Sequence, residues 1–201
     1  TRVLALTHDT DRLTFINIPE PPVPSLLRGF SAPVTLRFDY SDAELAHLMA
    51  HDSDPFNRWE AGQRLALDVL VRGIAAYRSQ DEPEVPPAFV DAFARVLADG
   101  GEDPAFTAEA LALPGADYLA EQLEEVDPEA ILAVRTALRC HVARCLEAEL
   151  DAAYAAYVVE GEYSPDAVSA GRRSLRNQCL SYLMELDTPE IRARALAQLN
   201  T

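Results

Sequence analysis

SDAELAHLMAHDSDPFNRWEAGQRLAL, residues Ser41 to Leu67, is the stretch where the chain changes character. Before it, apolar residues recur with the two-residue alternation of strands; from Ser41 onward they recur with helical spacing and never revert. Ser41 and Glu44 stand at the spacing of a capping box, which predicts a short helix through Leu45, Leu48 and Met49. Asp54-Pro55 then sets a side-chain oxygen in front of a proline, the arrangement that starts a second helix at no cost in amide donors.

The same dipeptide signal recurs at Asp103-Pro104, Asp127-Pro128, Ser164-Pro165 and Thr188-Pro189. Breaks fall at Asp81 to Pro87, Asp99-Gly100-Gly101, Leu113-Pro114-Gly115 and Glu160-Gly161. About eight helices are expected between these marks. The longest is predicted from Pro128 to about Val158, roughly 45 Å, with an apolar stripe through Ile131, Val134, Leu138, Val142, Cys145 and Leu146. Helices with one apolar face, joined by short polar turns, must stack on one another. The expected fold is therefore mainly α, an irregular array of antiparallel helical pairs (an α-α superhelix) over residues 41–201. The caps are unequally spaced, so no regular repeat such as the 34-residue kind is assigned.

Residues 1–40 read differently. Thr1 to Thr7 and Leu13 to Ile18 alternate around a turn-prone His8-Asp9-Thr10-Asp11, which is a hairpin signal. A proline-rich crossing (Pro19, Pro21, Pro22, Pro24) leads to a third expected strand, Val34 to Tyr40. Three strands do not make a sandwich, so residues 1–40 are expected to be the last strands of a β-sandwich whose remainder lies elsewhere. The absence of an initial Met and the abrupt last helix, Ile191 to Leu199, agree with an excerpt from a longer chain.

Of 201 residues, 33 are acidic and 17 basic, all of these arginine, for a net charge of −16. That charge repels a duplex nucleic acid or an anionic membrane, so neither is expected as a partner. No run approaches the length of a membrane span. Three cysteines, Cys140, Cys145 and Cys179, are too few for a disulfide framework and indicate a reducing, cytoplasmic setting. Cys145 and Cys179 sit on apolar stripes and are expected in the core.

Few constellations promise chemistry. His47 and His51 share a helix face, but Leu48 stands where a zinc peptidase motif requires Glu, so no metal ligand is assigned. Arg172, Arg173 and Arg176 cluster on one helix; in so acidic a chain they are expected to pair with neighbouring Asp and Glu. Arg58, the sole Trp59 and Glu60 crowd a helix start, a combination that locks elements together. There is no phosphate loop, no Gly-x-Ser-x-Gly and no Cys-x-x-Cys.

Three stretches carry a resemblance: PVPSLLRGFSAPVTL (Pro22 to Leu36), DSDPFNRWEAGQRLAL (Asp52 to Leu67) and RRSLRNQCLSYL (Arg172 to Leu183). In order and spacing they resemble the C-terminal part of bacterial aminopeptidase N, the alanyl-type zinc aminopeptidases of the gluzincin class. The resemblance implies a parent enzyme that releases N-terminal amino acids from peptides using zinc, with the catalytic domain in the same polypeptide. It implies that this part closes over the active site and restricts access to small peptides. The family's His-Glu-x-x-His, Gly-x-Met-Glu-Asn and catalytic Tyr have no counterpart here, so no catalytic residue, zinc ligand or cofactor is expected in this chain. Arg28, Arg58, Trp59 and Glu60 lie in the matching stretches and are expected in packing between helices or across the sandwich-to-helix junction. The alternative is a stand-alone helical-repeat scaffold that binds protein partners.

Overall fold

The computed structural model describes residues 3–5 and 7–199. Thr1, Arg2 and Leu6 of the first expected strand, and Asn200 and Thr201, lie outside the described residues. Nine α-helices are present among them: α1 (Asp42–His51), α2 (Pro55–Ser79), α3 (Pro87–Ala98), α4 (Pro104–Ala110), α5 (Ala116–Glu121), α6 (Pro128–Cys145), α7 (Glu147–Ala156), α8 (Ala167–Leu183) and α9 (Pro189–Leu199).

The helix starts follow local chemistry. The Ser41–Glu44 box closes in both directions, the Ser41 amide donating to Glu44 Oε2 at 2.8 Å and the Glu44 amide to Ser41 Oγ at 3.3 Å. Asp54, Asp103 and Asp127 accept from the amides of Asn57, Phe106 and Ala130, each at 3.0 Å, with proline in the first turn. One start moves. Asp166, not Ser164, caps α8 by accepting from the Ser169 amide.

The helices form an irregular array of antiparallel pairs, mainly α as expected. α2 packs between α1 and α6, α8 lies against α4 and α7, and α3 bridges α1 and α7. One continuous core results, centred on Leu45, Leu65, Leu70, Phe89, Phe93, Leu175 and Tyr182. Phe93 meets Tyr182 edge to face at 5.2 Å, and the Arg139 guanidinium lies over the same ring at 4.7 Å. α2 and α6 approach closely because Gly73 has no side chain: a Cβ there would stand 2.6 Å from Val134 Cγ1.

Two expectations are corrected. The single helix from Pro128 to Val158 is two, broken at Leu146, whose φ of −120° and ψ of 26° leave the helical region. Neither Pro nor Gly marks this site. The hydrogen-bond series continues across it, from the Leu146 amide to Val142 O and from the Leu150 amide to Leu146 O. Packing turns the chain: α6 lies against α2, while α7 must bury Leu150 and Tyr154 against α8. Consequently Leu146 takes the buried position and Cys145 is exposed, contrary to the stripe reading; Cys179 is buried as expected.

The second correction concerns the strands. Among the described residues, Val3 to Thr7, Leu13 to Ile18 and Val34 to Tyr40 form no β-ladder. A strand is defined by its neighbour's donors and acceptors, and among the described residues these segments find none. Their apolar side chains, Phe15, Ile16 and Val34 among them, are left exposed.

Candidate functional site

The residues at the start of α2 are tied to the segment that precedes the helices. The Arg28 guanidinium donates to Asp52 Oδ1, to Ser53 Oγ at 2.7 Å and to Ser25 Oγ at 2.9 Å. The Gly29 amide donates to Asp54 Oδ2 at 2.8 Å, and Asn57 Nδ2 donates to Ser25 Oγ and the Leu26 carbonyl. Asp54 thus serves twice, capping α2 with one oxygen and holding the loop with the other. The Asp52 side chain is 1% exposed. Burial alone would raise its pKa, but interactions with the Ser25 side chain, the Asp54 amide and Arg28 outweigh it and hold the carboxyl below its usual range.

Arg58 points the other way, into the helices. Its Nε donates to the Met49 carbonyl at 3.2 Å near the end of α1, its Nη2 to Asp99 Oδ2 at 3.1 Å after α3, and its guanidinium faces the Phe106 ring on α4. One side chain therefore joins four helices. Arg28 and Arg58 share no partner; they work on opposite sides of the same turn of chain.

Trp59 and Glu60 line clefts instead. A cleft of about 410 Å³ is walled by Pro55, Phe56, Trp59 and Phe106, and a second of about 290 Å³ by Trp59, Glu60, Glu109 and Tyr118. The floor of the second is the 111–115 loop, held from three helices. Gln63 donates to the Ala112 carbonyl, Arg135 to Pro114, and Gln178 and Tyr182 to Leu111. Glu109 and Tyr118 were not singled out in the sequence, since only the tertiary fold brings them beside Trp59.

The remaining candidates fall elsewhere. His47 and His51 are exposed with their rings 5.1 Å apart. Among the described residues no group of three or more His, Cys, Asp or Glu is placed to hold a metal ion. Among the described residues Arg172, Arg173 and Arg176 form no ion pair with an acidic side chain, contrary to the expectation. They lie over the rings of Tyr157, Tyr163 and Tyr154, and Arg172 and Arg173 donate to the carbonyls of Ala156, Val158 and Ser164. For Arg172 the reason is local: the end of α7 presents unpaired carbonyls that a guanidinium satisfies, while Arg176 donates to the Tyr154 hydroxyl.

Residues 42–201 match the family model described as "Domain of unknown function (DUF3458_C) ARM repeats", and residues 1–39 match "Domain of unknown function (DUF3458) Ig-like fold". The chain belongs to the DUF3458_C family. This DUF3458_C chain is 40% identical over 98% of its length to aminopeptidase N of Caulobacter vibrioides, and 39% identical over 90% to that of Escherichia coli. It spans only 22% and 21% of those relatives, and matches their C-terminal region. Its fold is similar to Legionella pneumophila aminopeptidase A, solved in complex with aspartic acid, with a TM-score of 0.78 and 28% identity over 92% of this chain and 22% of that one. The Ig-like match over residues 1–39 covers segments whose strand pattern forms no ladder among the described residues of the DUF3458_C chain.

Proposed function

We propose that this chain is a non-catalytic part of a zinc metalloaminopeptidase that releases N-terminal amino acids from peptides. Residues 1–40 end a β-sandwich and residues 41–201 begin the helical domain, a division supported by the two family matches meeting between residues 39 and 42. The catalytic domain of the same polypeptide supplies the zinc and the reacting groups. The helical array walls the active site and limits access to small peptides, in the cytoplasm.

The observation that carries this reading is the 40% identity to aminopeptidase N across 98% of the chain. Rigid anchoring of the front segment to α2 through Arg28, Asp52 and Asp54 also supports it, since a wall must keep a fixed angle to what it covers.

The test is hydrolysis of alanyl p-nitroanilide by the 201-residue chain and by a longer polypeptide that includes the upstream coding sequence. The longer protein is expected to be active and to lose activity to a chelator, and the short chain to be inactive. Chelator-sensitive turnover by the short chain alone refutes a non-catalytic role. Access is tested by comparing a tripeptide with a folded protein that bears the same N-terminus; equal rates on both would refute the wall.

A further inference from the structure

The two clefts meet at Trp59 and Glu109, which belong to both. One end is apolar, faced by Pro55, Phe56 and Phe106; the other presents Glu60, Glu109 and the half-exposed ring of Tyr118. Among the described residues neither the Glu60 nor the Glu109 carboxylate has an ion pair or a hydrogen bond. Arg64 also lines the second cleft, with its guanidinium bound to the Phe38 carbonyl and facing the Tyr40 ring, while Arg58 pairs with Asp99 and Arg72 with Asp42.

Unpaired carboxylates beside aromatic faces suit a guanidinium or ammonium group, which the rings attract through their negative faces and the carboxylates through charge-assisted hydrogen bonds. An adjoining apolar cleft suits a neighbouring apolar side chain. We infer that the joined clefts bind a peptide from solution in which a basic side chain adjoins an apolar one, the cation between Glu60 and Glu109 against Trp59 and the apolar group against Phe56 and Phe106. Charge selects this occupant. A net charge of −16 draws a basic peptide and repels an acidic one or a second copy of the chain. The site uses only residues of this chain and stands whether or not the peptidase reading holds.

Trp59 is the sole tryptophan, so its fluorescence reports on the site directly. The 201-residue chain is titrated with acetyl-Arg-Leu-amide and, separately, with acetyl-Glu-Leu-amide. The expected result is a saturable change in emission with the arginyl peptide alone, with affinity about tenfold weaker in the Glu60→Gln/Glu109→Gln double variant. Helical circular dichroism of that variant, whose two positions are not fully buried, is expected to match the wild type. The inference is overturned by the absence of a saturable change, by an equal response to the glutamyl peptide, or by unaltered affinity in a folded double variant. A change in emission that follows protein concentration without peptide would assign the clefts to a second copy and overturn it equally.

Discussion

The Tyr182 hydroxyl donates to the Leu111 carbonyl at 2.7 Å, joining α8 to the end of α4 across 71 residues of sequence in the fully buried centre of the array. Gln178 donates to the same carbonyl at 3.2 Å, so that oxygen keeps a partner if the hydroxyl is lost. Tyr182→Phe is therefore expected to cost about 1 kcal/mol, the net worth of one buried hydrogen bond, and not the larger penalty of an orphaned acceptor. Urea unfolding measures this. Because the 111–115 loop floors the second cleft, the Trp59 emission spectrum of the variant is expected to shift as well.

Burial also sets the alkaline limit of stability. The Cys179 thiol is pushed up to about 12 by burial, and burial raises the Tyr182 phenol too. Both groups hold their protons in the folded chain at pH values where the unfolded chain has lost them. Their contribution to stability is thus full below the unfolded value, about 9 for the thiol, and declines as pH rises from there toward the folded value. Between pH 9 and 10.5 the thiol alone accounts for about 2 kcal/mol of lost stability. Cys179→Ala is expected to flatten the slope of the urea midpoint over that window; an unchanged slope would show that the thiol is not so placed.

At the other end of the pH scale the group that matters is Asp52. Its folded pKa is depressed, so its contribution is present above the unfolded value near 4 and is lost as pH falls through the folded value. Arg28→Ala removes the guanidinium beside this buried carboxyl and is expected to cost on the order of 2–3 kcal/mol at neutral pH. The variant is also expected to lose less stability than the wild type between pH 5 and 3, because its Asp52 pKa has risen. Parallel acid profiles for the two proteins would count against the pairing.

Asp54 holds α2 and the preceding loop with separate oxygens. Asp54→Ala is expected to cost about 1–2 kcal/mol, at the upper part of the range for a helix cap. Limited proteolysis within residues 24–30 is expected to accelerate, since the Gly29 amide loses its acceptor. Asp54→Asn, which keeps the capping oxygen, is expected to retain most of the stability.

The close approach of α2 and α6 gives a steric prediction. An added methyl at Gly73 would meet Val134 Cγ1 at 2.6 Å, and a β-branched side chain has little freedom to turn aside. Overpacking of this kind costs about 1–3 kcal/mol, against about 1 kcal/mol gained from the better helix propensity of alanine. Gly73→Ala is expected to destabilise. Adding Val134→Ala is expected to relieve part of the loss, seen as a coupling term in a double-mutant cycle.

The chain's local chemistry was legible without coordinates because capping acts over three residues. Ser41 with Glu44, Asp54, Asp103 and Asp127 each marked a true helix start, and the apolar periodicity between them was enough to call for a stacked array. Arg58, Trp59 and Glu60 were recognisable as a dense group and Arg28 only through the resemblance, but their division of labour was not legible: Arg28 and Arg58 are ties, and Trp59 and Glu60 face clefts. Glu109 and Tyr118 carried no signal, since nothing within a few residues of either distinguishes it from an ordinary surface side chain.

What the sequence determined alone was what neighbours along the chain set: most of the helix starts, and the resemblance carried by three long stretches. Only the tertiary structure decided the rest. It turned the chain at Leu146 without Pro or Gly, moved Cys145 to the surface, sent Arg172, Arg173 and Arg176 to tyrosine rings and carbonyls, and left the described strand-patterned residues without a ladder. The physical reason is common to all four. Each outcome depends on whether a distant group arrives to bury a face, accept a hydrogen bond or complete a ladder, and such arrivals are properties of packing rather than of local sequence.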